Sequence, residues 1–256
     1  KVWISDPSWE NHRALFESAG FEVKNYPYYD PTSHGVKFDE MLACLKSLPA
    51  NEIVVLHACC HNPTGVDLQD AHWGQIVDVV RSRELIAFLD CAYQGFGDGI
   101  EADAAALRVF AQSGLSFFVS SSFSKSFSLY GERVGALSIV TADKDETSRV
   151  VSQVKRVIRT NYSNPPTHGA SVVAAVLSTP ALRQLGETEL AGMREPCVRQ
   201  GEADEAETLR PDERYSEAEI NQCSDFAASR LRVKPDPVES HAKARRGKTK
   251  TAFAME

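Results

Sequence analysis

The sequence has 256 residues, 43% hydrophobic and 25% charged, the composition of an ordinary globular protein that can bury one sizeable core. Its formal net charge of −7 argues against a nucleic-acid partner. No apolar run approaches the roughly 20 residues needed to cross a bilayer, so we expect no contact with a membrane.

Six cysteines are present, and no two have the C-x-x-C spacing of a redox or zinc motif. We therefore expect reduced thiols and a cytoplasmic protein. The first residues lack the basic region, apolar stretch and cleavage site of a signal peptide. They open directly on a strand-like run, so we expect the chain to begin inside a longer protein.

Strand-like and helix-like patterns alternate along most of the chain. The predicted strands are residues 2–5, 22–26, 53–58, 86–90, 116–121 and 136–141. The predicted helices are residues 39–47, 69–82, 102–113, 144–159, 166–177 and 181–194. This alternation predicts an α/β fold of three layers, in which a mostly parallel sheet has helices on both faces. Ligands of such sheets bind at the carboxyl ends of the strands.

The composition changes abruptly at Pro196, which we expect to end the last helix. From there on the sequence is dense in charge and poor in leucine and isoleucine, a composition typical of disordered segments. We therefore divide the chain into a domain over residues 1–195 and an atypical charged tail over 196–256. We hypothesise that this tail is disordered or is a frame-shifted reading of the gene.

A hydroxyl-rich segment with one lysine follows the fifth predicted strand. It contains Ser122, Ser124 and Lys125, and Arg133 follows between two glycines. A lysine amine in such a place can form a Schiff base with a carbonyl, and hydroxyls with an arginine can hold a phosphate. A serine-rich loop with a solvated lysine and arginine is the alternative interpretation.

An aspartate, Asp90, ends the apolar fourth strand, and Tyr93 follows three residues later. A carboxylate at the end of a buried strand is costly without a positive partner, such as a protonated pyridine nitrogen. The alternative is that Asp90 caps the following turn.

A third polar turn follows the strand at residues 53–58. His57, Cys59, Cys60 and His61 crowd into five positions, unlike the usual spacing of zinc ligands, which argues against a metal site there. Asn62 opens an Asn-Pro-x-Gly sequence, a strong turn signal whatever the function. Near the amino end, Trp9 follows another turn and is interpreted either as core packing or as a flat face for an aromatic cofactor.

The order and spacing of these motifs along the chain point to one protein family more specifically than any single motif does. The segments are Ser-Phe-Ser-Lys at 122–125, Tyr-Gly-Glu-Arg-Val-Gly at 130–135, Asp-Cys-Ala-Tyr-Gln-Gly-Phe at 90–96 and His-Asn-Pro-Thr-Gly at 61–65. Together they resemble the class I aspartate and aromatic-amino-acid aminotransferases, and their sequences are most similar to those of the bacterial aromatic enzymes. The resemblance runs from residue 1 to about 195 and implies the large domain of the aspartate-aminotransferase fold, fold type I of pyridoxal-phosphate enzymes.

The resemblance implies pyridoxal 5'-phosphate as cofactor and assigns three catalytic residues. Lys125 would bond the cofactor and then move the substrate's Cα proton as general base and acid. Asp90 would pair with the pyridinium nitrogen, supported by His12. Tyr93 would bond the ring oxygen together with Asn62, which would also contact substrate.

The resemblance also assigns residues that hold the rest of the cofactor. Trp9 would stack on the ring and touch substrate. Ser122, Ser124 and Arg133 would hold the phosphate. His57 would support this site from behind the residues that contact the cofactor.

Arg159 matches an arginine that reaches the neighbouring subunit's site and binds the distal carboxylate of a substrate. Its other interpretation is a solvated helix end. The match implies a homodimer with shared active sites and exchange of an amino group between an aromatic or dicarboxylic amino acid and a 2-oxo acid, with glutamate and 2-oxoglutarate as one pair.

Two other functions remain open. One is a different enzyme on the same cofactor, such as a lyase or decarboxylase, and the other is an inactive fragment. The resemblance places a phosphate loop and a cross-dimer tyrosine before residue 1, and the arginine for the substrate's α-carboxylate beyond the matching region. We therefore expect the chain as written to be weakly active or inactive.

Overall fold

The computed structural model describes the backbone of residues 1–206 and the side chains of residues 1–194. The strands, in chain order, are β1 (Val2–Asp6), β2 (Val23–Pro27), β3 (Tyr29–Asp30), β4 (Gly35–Val36), β5 (Ile53–His57), β6 (Ile86–Cys91), β7 (Phe117–Ser122) and β8 (Gly135–Val140). The helices are α1 (Glu10–Ser18), α2 (Phe38–Ser47), α3 (Asp70–Ser82), α4 (Ala105–Gln112), α5 (Lys144–Asn161), α6 (His168–Ser178) and α7 (Pro180–Ala206).

Six of these strands form one sheet in the order β2-β1-β5-β6-β7-β8, and β3 pairs with β4 in a separate two-stranded sheet. Neighbours in the large sheet are parallel except for β7 and β8, which are antiparallel. The predicted mostly parallel sheet is therefore confirmed. The carboxyl ends of β1, β5, β6 and β7 meet at one edge of this sheet, where the antiparallel β8 begins.

Apolar side chains on both faces of the sheet explain the helical layers. On β5, Val54 and Leu56 join the larger core cluster, which includes apolar residues of α2, α3 and α4. Val55 points to the opposite face and joins a smaller cluster, against which Phe16 of α1 packs. Because side chains alternate along a strand, each continuous apolar strand covers both clusters. The prediction of helices on both faces is confirmed.

Helix α1, the small sheet of β3 and β4, and the end of α7 differ from the sequence-based expectation. Helix α1 has one buried residue, His12. Its sequence has no apolar pattern strong enough to predict a helix. Helix α7 continues past Pro196 to Ala206, so the expected end at the proline is wrong. A proline removes one helical hydrogen bond but does not always end a helix.

The interpretation of residues 196–256 as a disordered or frame-shifted tail falls mostly on residues 207–256, which lie outside the described residues. Among the described helices, none combines the length and apolar character required to span a bilayer.

Candidate active site

The carboxyl edge of the sheet brings Asp90 together with two polar partners. His12 Nε2 lies 3.0 Å from Asp90 Oδ2, and the Ser120 hydroxyl donates to Asp90 Oδ1 at 2.7 Å. Ser8 Oγ lies 3.0 Å from Nδ1 of His12, so both nitrogens of that ring have partners. The side chains of His12 and Asp90 are 6% and 16% exposed, and the network is therefore shielded from water.

This network holds Asp90 in its ionised form. Burial alone would raise the pKa of the carboxyl, but the hydrogen bond and charge of His12 and the hydrogen bond from Ser120 outweigh it, and the pKa falls below its ordinary value. The result is a shielded carboxylate at a strand end, the partner that a protonated ring nitrogen requires.

Lys125 lies close enough to Asp90 for their charges to interact. Its Nζ sits 4.9 Å from the centre of the Tyr93 ring and 6.0 Å from that of Tyr130. Burial lowers the pKa of the Lys125 amine, the charge of Asp90 opposes this shift, and Arg133 adds to it. A lowered pKa increases the fraction of neutral amine, which is the nucleophilic form.

Tyr93 is held as a neutral phenol beside that amine. Burial raises the pKa of Tyr93 to about 12, and electrostatic interactions with Tyr130 and Cys60 add to this rise. A hydrogen bond with the Asn62 side chain opposes it. At neutral pH the phenol keeps its proton and can donate it in a hydrogen bond. The structure thus brings Tyr93 and Asn62 together.

The predicted phosphate-binding residues lie on the loop between β7 and β8. Ser122 ends β7 and pairs with Gly135 at the start of β8. The backbone of Arg133, two residues before Gly135, therefore lies near the end of β7. The Ser124 amide donates to Ser122 Oγ at 3.2 Å, and Ser124 is buried. Arg133 has left-handed backbone angles (φ 51°), and its Nη1 donates to the Tyr130 carbonyl at 2.8 Å.

Two histidines lie behind Asp90 and are kept neutral. The ring of His57 is 5.0 Å from that of His12 and 4.3 Å from that of His61, and neither His57 ring nitrogen has a partner among the described residues. Burial lowers the pKa of His57 to about 4. The charge of His12 adds to this shift, and the charge of Asp90 opposes it. Burial also lowers the pKa of His61 to about 2.

The other two predicted residues differ in position. Trp9 caps α1 and packs edge-on against the His12 ring, with centres 5.3 Å apart, so it belongs to the cluster around Asp90. Arg159 lies in the last turn of α5, exposed, and its guanidinium donates to Ser163 Oγ. The structure does not bring Arg159 into contact with the other predicted residues.

Sequence reasoning missed Ser8 and Ser120. Ser120 lies directly beside Asp90 in the parallel pairing of β6 and β7, so the strand register alone places its hydroxyl within reach. A register of this kind follows from sheet order, which the sequence does not reveal. Ser8 lies one turn before His12, a spacing typical of contacts at the start of a helix.

A family model for aminotransferases of class I and II matches residues 1–198. The chain belongs to this family of aminotransferases. It is 71% identical over 194 residues to the aspartate aminotransferase of Pseudomonas aeruginosa, an alignment that covers 76% of this chain and 49% of that protein. It is 55% identical over 193 residues to the aromatic-amino-acid aminotransferase of Escherichia coli, covering 75% of this chain and 49% of that one.

Solved aminotransferase structures share the fold. The aromatic-amino-acid aminotransferase of Burkholderia pseudomallei, solved covalently bound to pyridoxal phosphate, matches with a TM-score of 0.77 and 68% identity. That match covers 78% of this chain and 50% of the solved one. The chain thus spans about half the length of the curated relatives it matches.

Proposed function

We propose that this chain carries the cofactor-binding residues of a pyridoxal-phosphate-dependent transaminase. The observation that carries the proposal is the proximity of a lysine amine of lowered pKa, Lys125, to a shielded carboxylate, Asp90, that its neighbours keep ionised. One group is suited to bond a carbonyl, and the other to bind a protonated ring nitrogen.

The surrounding residues fit the same cofactor. Ser122, Ser124 and Arg133 share one loop and offer hydroxyl and guanidinium donors suited to a phosphate. The phenol of Tyr93 can donate to a ring oxygen, and Trp9 supplies a flat aromatic surface beside His12.

When bound, pyridoxal phosphate supplies an electron sink that stabilises negative charge at the substrate's α-carbon. The protein's part is to move the proton. The neutral amine of Lys125 would accept the proton from that carbon and, as general acid, give it to the cofactor's aldehyde carbon. The Asp90 carboxylate would hold the ring nitrogen in its protonated state, since an anion in a shielded site favours the charged partner.

We infer that the substrates are aromatic or dicarboxylic amino acids and their 2-oxo acids, with glutamate and 2-oxoglutarate as one pair. The support is the similarity to aspartate and aromatic-amino-acid aminotransferases. The exposure of Arg159 on α5, away from the other predicted site residues, supports a role of this arginine in a neighbouring subunit's site. We accordingly propose a cytoplasmic homodimer with shared sites, in which Arg159 binds the distal carboxylate.

Covalent trapping tests the cofactor assignment. The purified chain is mixed with pyridoxal phosphate, reduced with borohydride, digested and analysed by mass spectrometry. We expect one pyridoxyl adduct, on Lys125, because this amine is partly shielded and has a lowered pKa, so it reacts ahead of solvated lysines.

The Lys125→Ala variant should lose the adduct, whereas Lys155→Ala, at an exposed position of α5, should keep it. Equal labelling of several lysines, or labelling that survives Lys125→Ala, would refute the cofactor assignment. With the adduct established, mixing the loaded chain with glutamate separates the enzyme classes. Release of 2-oxoglutarate indicates a transaminase, whereas release of carbon dioxide or ammonia indicates the lyase or decarboxylase alternative.

A further inference from the structure

Two thiols and a carboxylate meet next to the candidate active site. Cys59 and Cys60 follow β5, and Asp103 lies just before α4. One ligand atom from each of these three residues lies within 4.8 Å of the others. Cys59 and Asp103 are 6% and 7% exposed, whereas Cys60 is half-buried and opens the cluster toward solvent.

The carboxylate of Asp103 is fixed in place by the loop before it. Its Oδ2 accepts from the amides of Gly95 at 2.7 Å and Gly97 at 3.0 Å, and its Oδ1 accepts from the amide of Asp98 at 2.8 Å. These donors orient the anion and leave Oδ1 with a lone pair. Within residues 1–194, no basic side chain forms an ion pair with Asp103, and a buried carboxylate without a cation is costly.

The thiols are close to one another as well as to the carboxylate. The Cys59 thiol hydrogen-bonds with Cys60 and with Cys91. The two adjacent thiols therefore already face a common point beside the Asp103 carboxylate.

We propose that Cys59, Cys60 and Asp103 form a binding site for a thiophilic divalent cation of the zinc and cadmium type. Two thiolates and one carboxylate supply three ligands, and the fourth position is left to water. Zinc bonds of ~2.0–2.3 Å place tetrahedral ligand atoms roughly 3.5–3.8 Å apart, so atoms that lie within 4.8 Å of one another need to close by about 1 Å at most. Cys91 remains beside Cys59 and can donate to its thiolate.

The fold adds a third ligand that the local sequence around Cys59 and Cys60 does not contain. Within residues 57–61 the spacing of possible ligands argues against a zinc site, and one of the two histidines there, His61, already has partners for both ring nitrogens. His61 contacts Ser5 Oγ and Thr64 Oγ1, both at 2.8 Å. Asp103 comes from a distant part of the sequence and reaches the thiols because the loop after β6 folds over the end of β5.

Cadmium absorbance provides the test. The chain is prepared with Cys44, Cys197 and Cys223 replaced by serine, so that the thiols left are those of Cys59, Cys60 and Cys91. Titration with cadmium chloride should give a sulfur-to-cadmium charge-transfer band in the ultraviolet that saturates at one equivalent. Burial of these cysteines purely as packing residues predicts no such band, and its absence would overturn the proposal.

Single substitutions then assign the ligands. Cys60→Ser preserves size, and Asp103→Asn preserves shape; each should weaken cadmium binding at least about tenfold, because loss of even an outer partner costs that much. Asp98→Asn, at an exposed neighbour on the same loop, is the matched control and should leave the affinity unchanged. Unchanged affinity in either ligand variant, or equal loss in the control, would contradict the proposed site.

Discussion

At the scale of single residues, side chains of the same type behave differently according to where they lie in the fold. The chain has seven histidines, yet His12 contacts the Asp90 carboxylate and helps keep it ionised, while His57 has no hydrogen-bond partner among the described residues. The first supports a charge, and the second is a buried polar ring kept neutral by its surroundings.

His57 makes the free energy of unfolding depend on pH. Its pKa is about 4 in the folded protein and 6.5 as a free side chain, so between these values the unfolded chain binds more protons. The stabilisation associated with neutral His57 is fully present above pH 6.5 and is lost as the pH falls toward 4. From pH 7 to pH 5 this loss is about 2 kcal/mol.

The substitution His57→Leu should remove this contribution. At pH 7 we expect little loss of stability, because neither ring nitrogen makes a hydrogen bond that leucine would forfeit. Urea unfolding of both proteins at pH 7 and pH 5 should show a smaller decrease for the variant, by about 2 kcal/mol. His168→Leu, at a side chain 78% exposed, is the control. An equal decrease in the original chain and in His57→Leu would contradict the burial argument.

Much of the candidate site is predictable at this scale, and the remainder has a physical reason for being missed. Lys125 and Asp90 stand out because each follows an apolar strand within a distinctive motif. Ser120 is one of several serines in a row, and its contact with Asp90 depends on which strands are neighbours. Asp103 is likewise an ordinary loop aspartate until folding places it beside two thiols.

At the scale of elements, the antiparallel pair of β7 and β8 positions the lysine loop. Gly135 begins β8 opposite Ser122, and a Cβ atom at Gly135 would lie 2.8 Å from the carbonyl oxygen of Ser121. That neighbour is backbone within a paired strand, so it cannot turn aside as a flexible side chain would. The close approach therefore requires glycine at this position.

The substitution Gly135→Ala should force the two strands apart and lower the free energy of unfolding by about 1–3 kcal/mol. Gly74→Ala is the matched control with the opposite expected sign. Gly74 lies inside α3 with nothing within 4 Å of its added Cβ, so alanine should stabilise the helix by about 0.5–1 kcal/mol. Urea unfolding measures both. A Gly135→Ala protein as stable as the original would show that the strands accommodate the methyl group.

At the scale of the whole molecule, the sheet was predictable because several of its strands, such as β5 and β6, are continuous apolar runs that cover two cores. Strand order and the reversed direction of β8 were not, since they depend on contacts between distant segments. Helix α1 also escaped prediction, because Phe16 packs against the smaller core while most of its other side chains face solvent.

The described structure has a dense amino-terminal part and a thinly packed carboxyl-terminal part. The larger core cluster draws all its buried members from residues 26–119, and α5 has no buried residue. Among the side chains of residues 1–194, seven of the nine exposed large hydrophobic ones lie beyond residue 134. Local stability follows the burial of apolar contacts, so the two parts should open at different free energies.

Hydrogen exchange measures this difference within a single molecule. We expect the amides of α5 to exchange through local opening, well before those of β5 and β6, whose neighbours lie in the larger core. The strands serve as an internal control, because both sets of amides experience the same pH and temperature. Equal protection of α5 and β6 would show that the chain opens as one cooperative unit. It would also mean that some contact beyond those described stabilises α5.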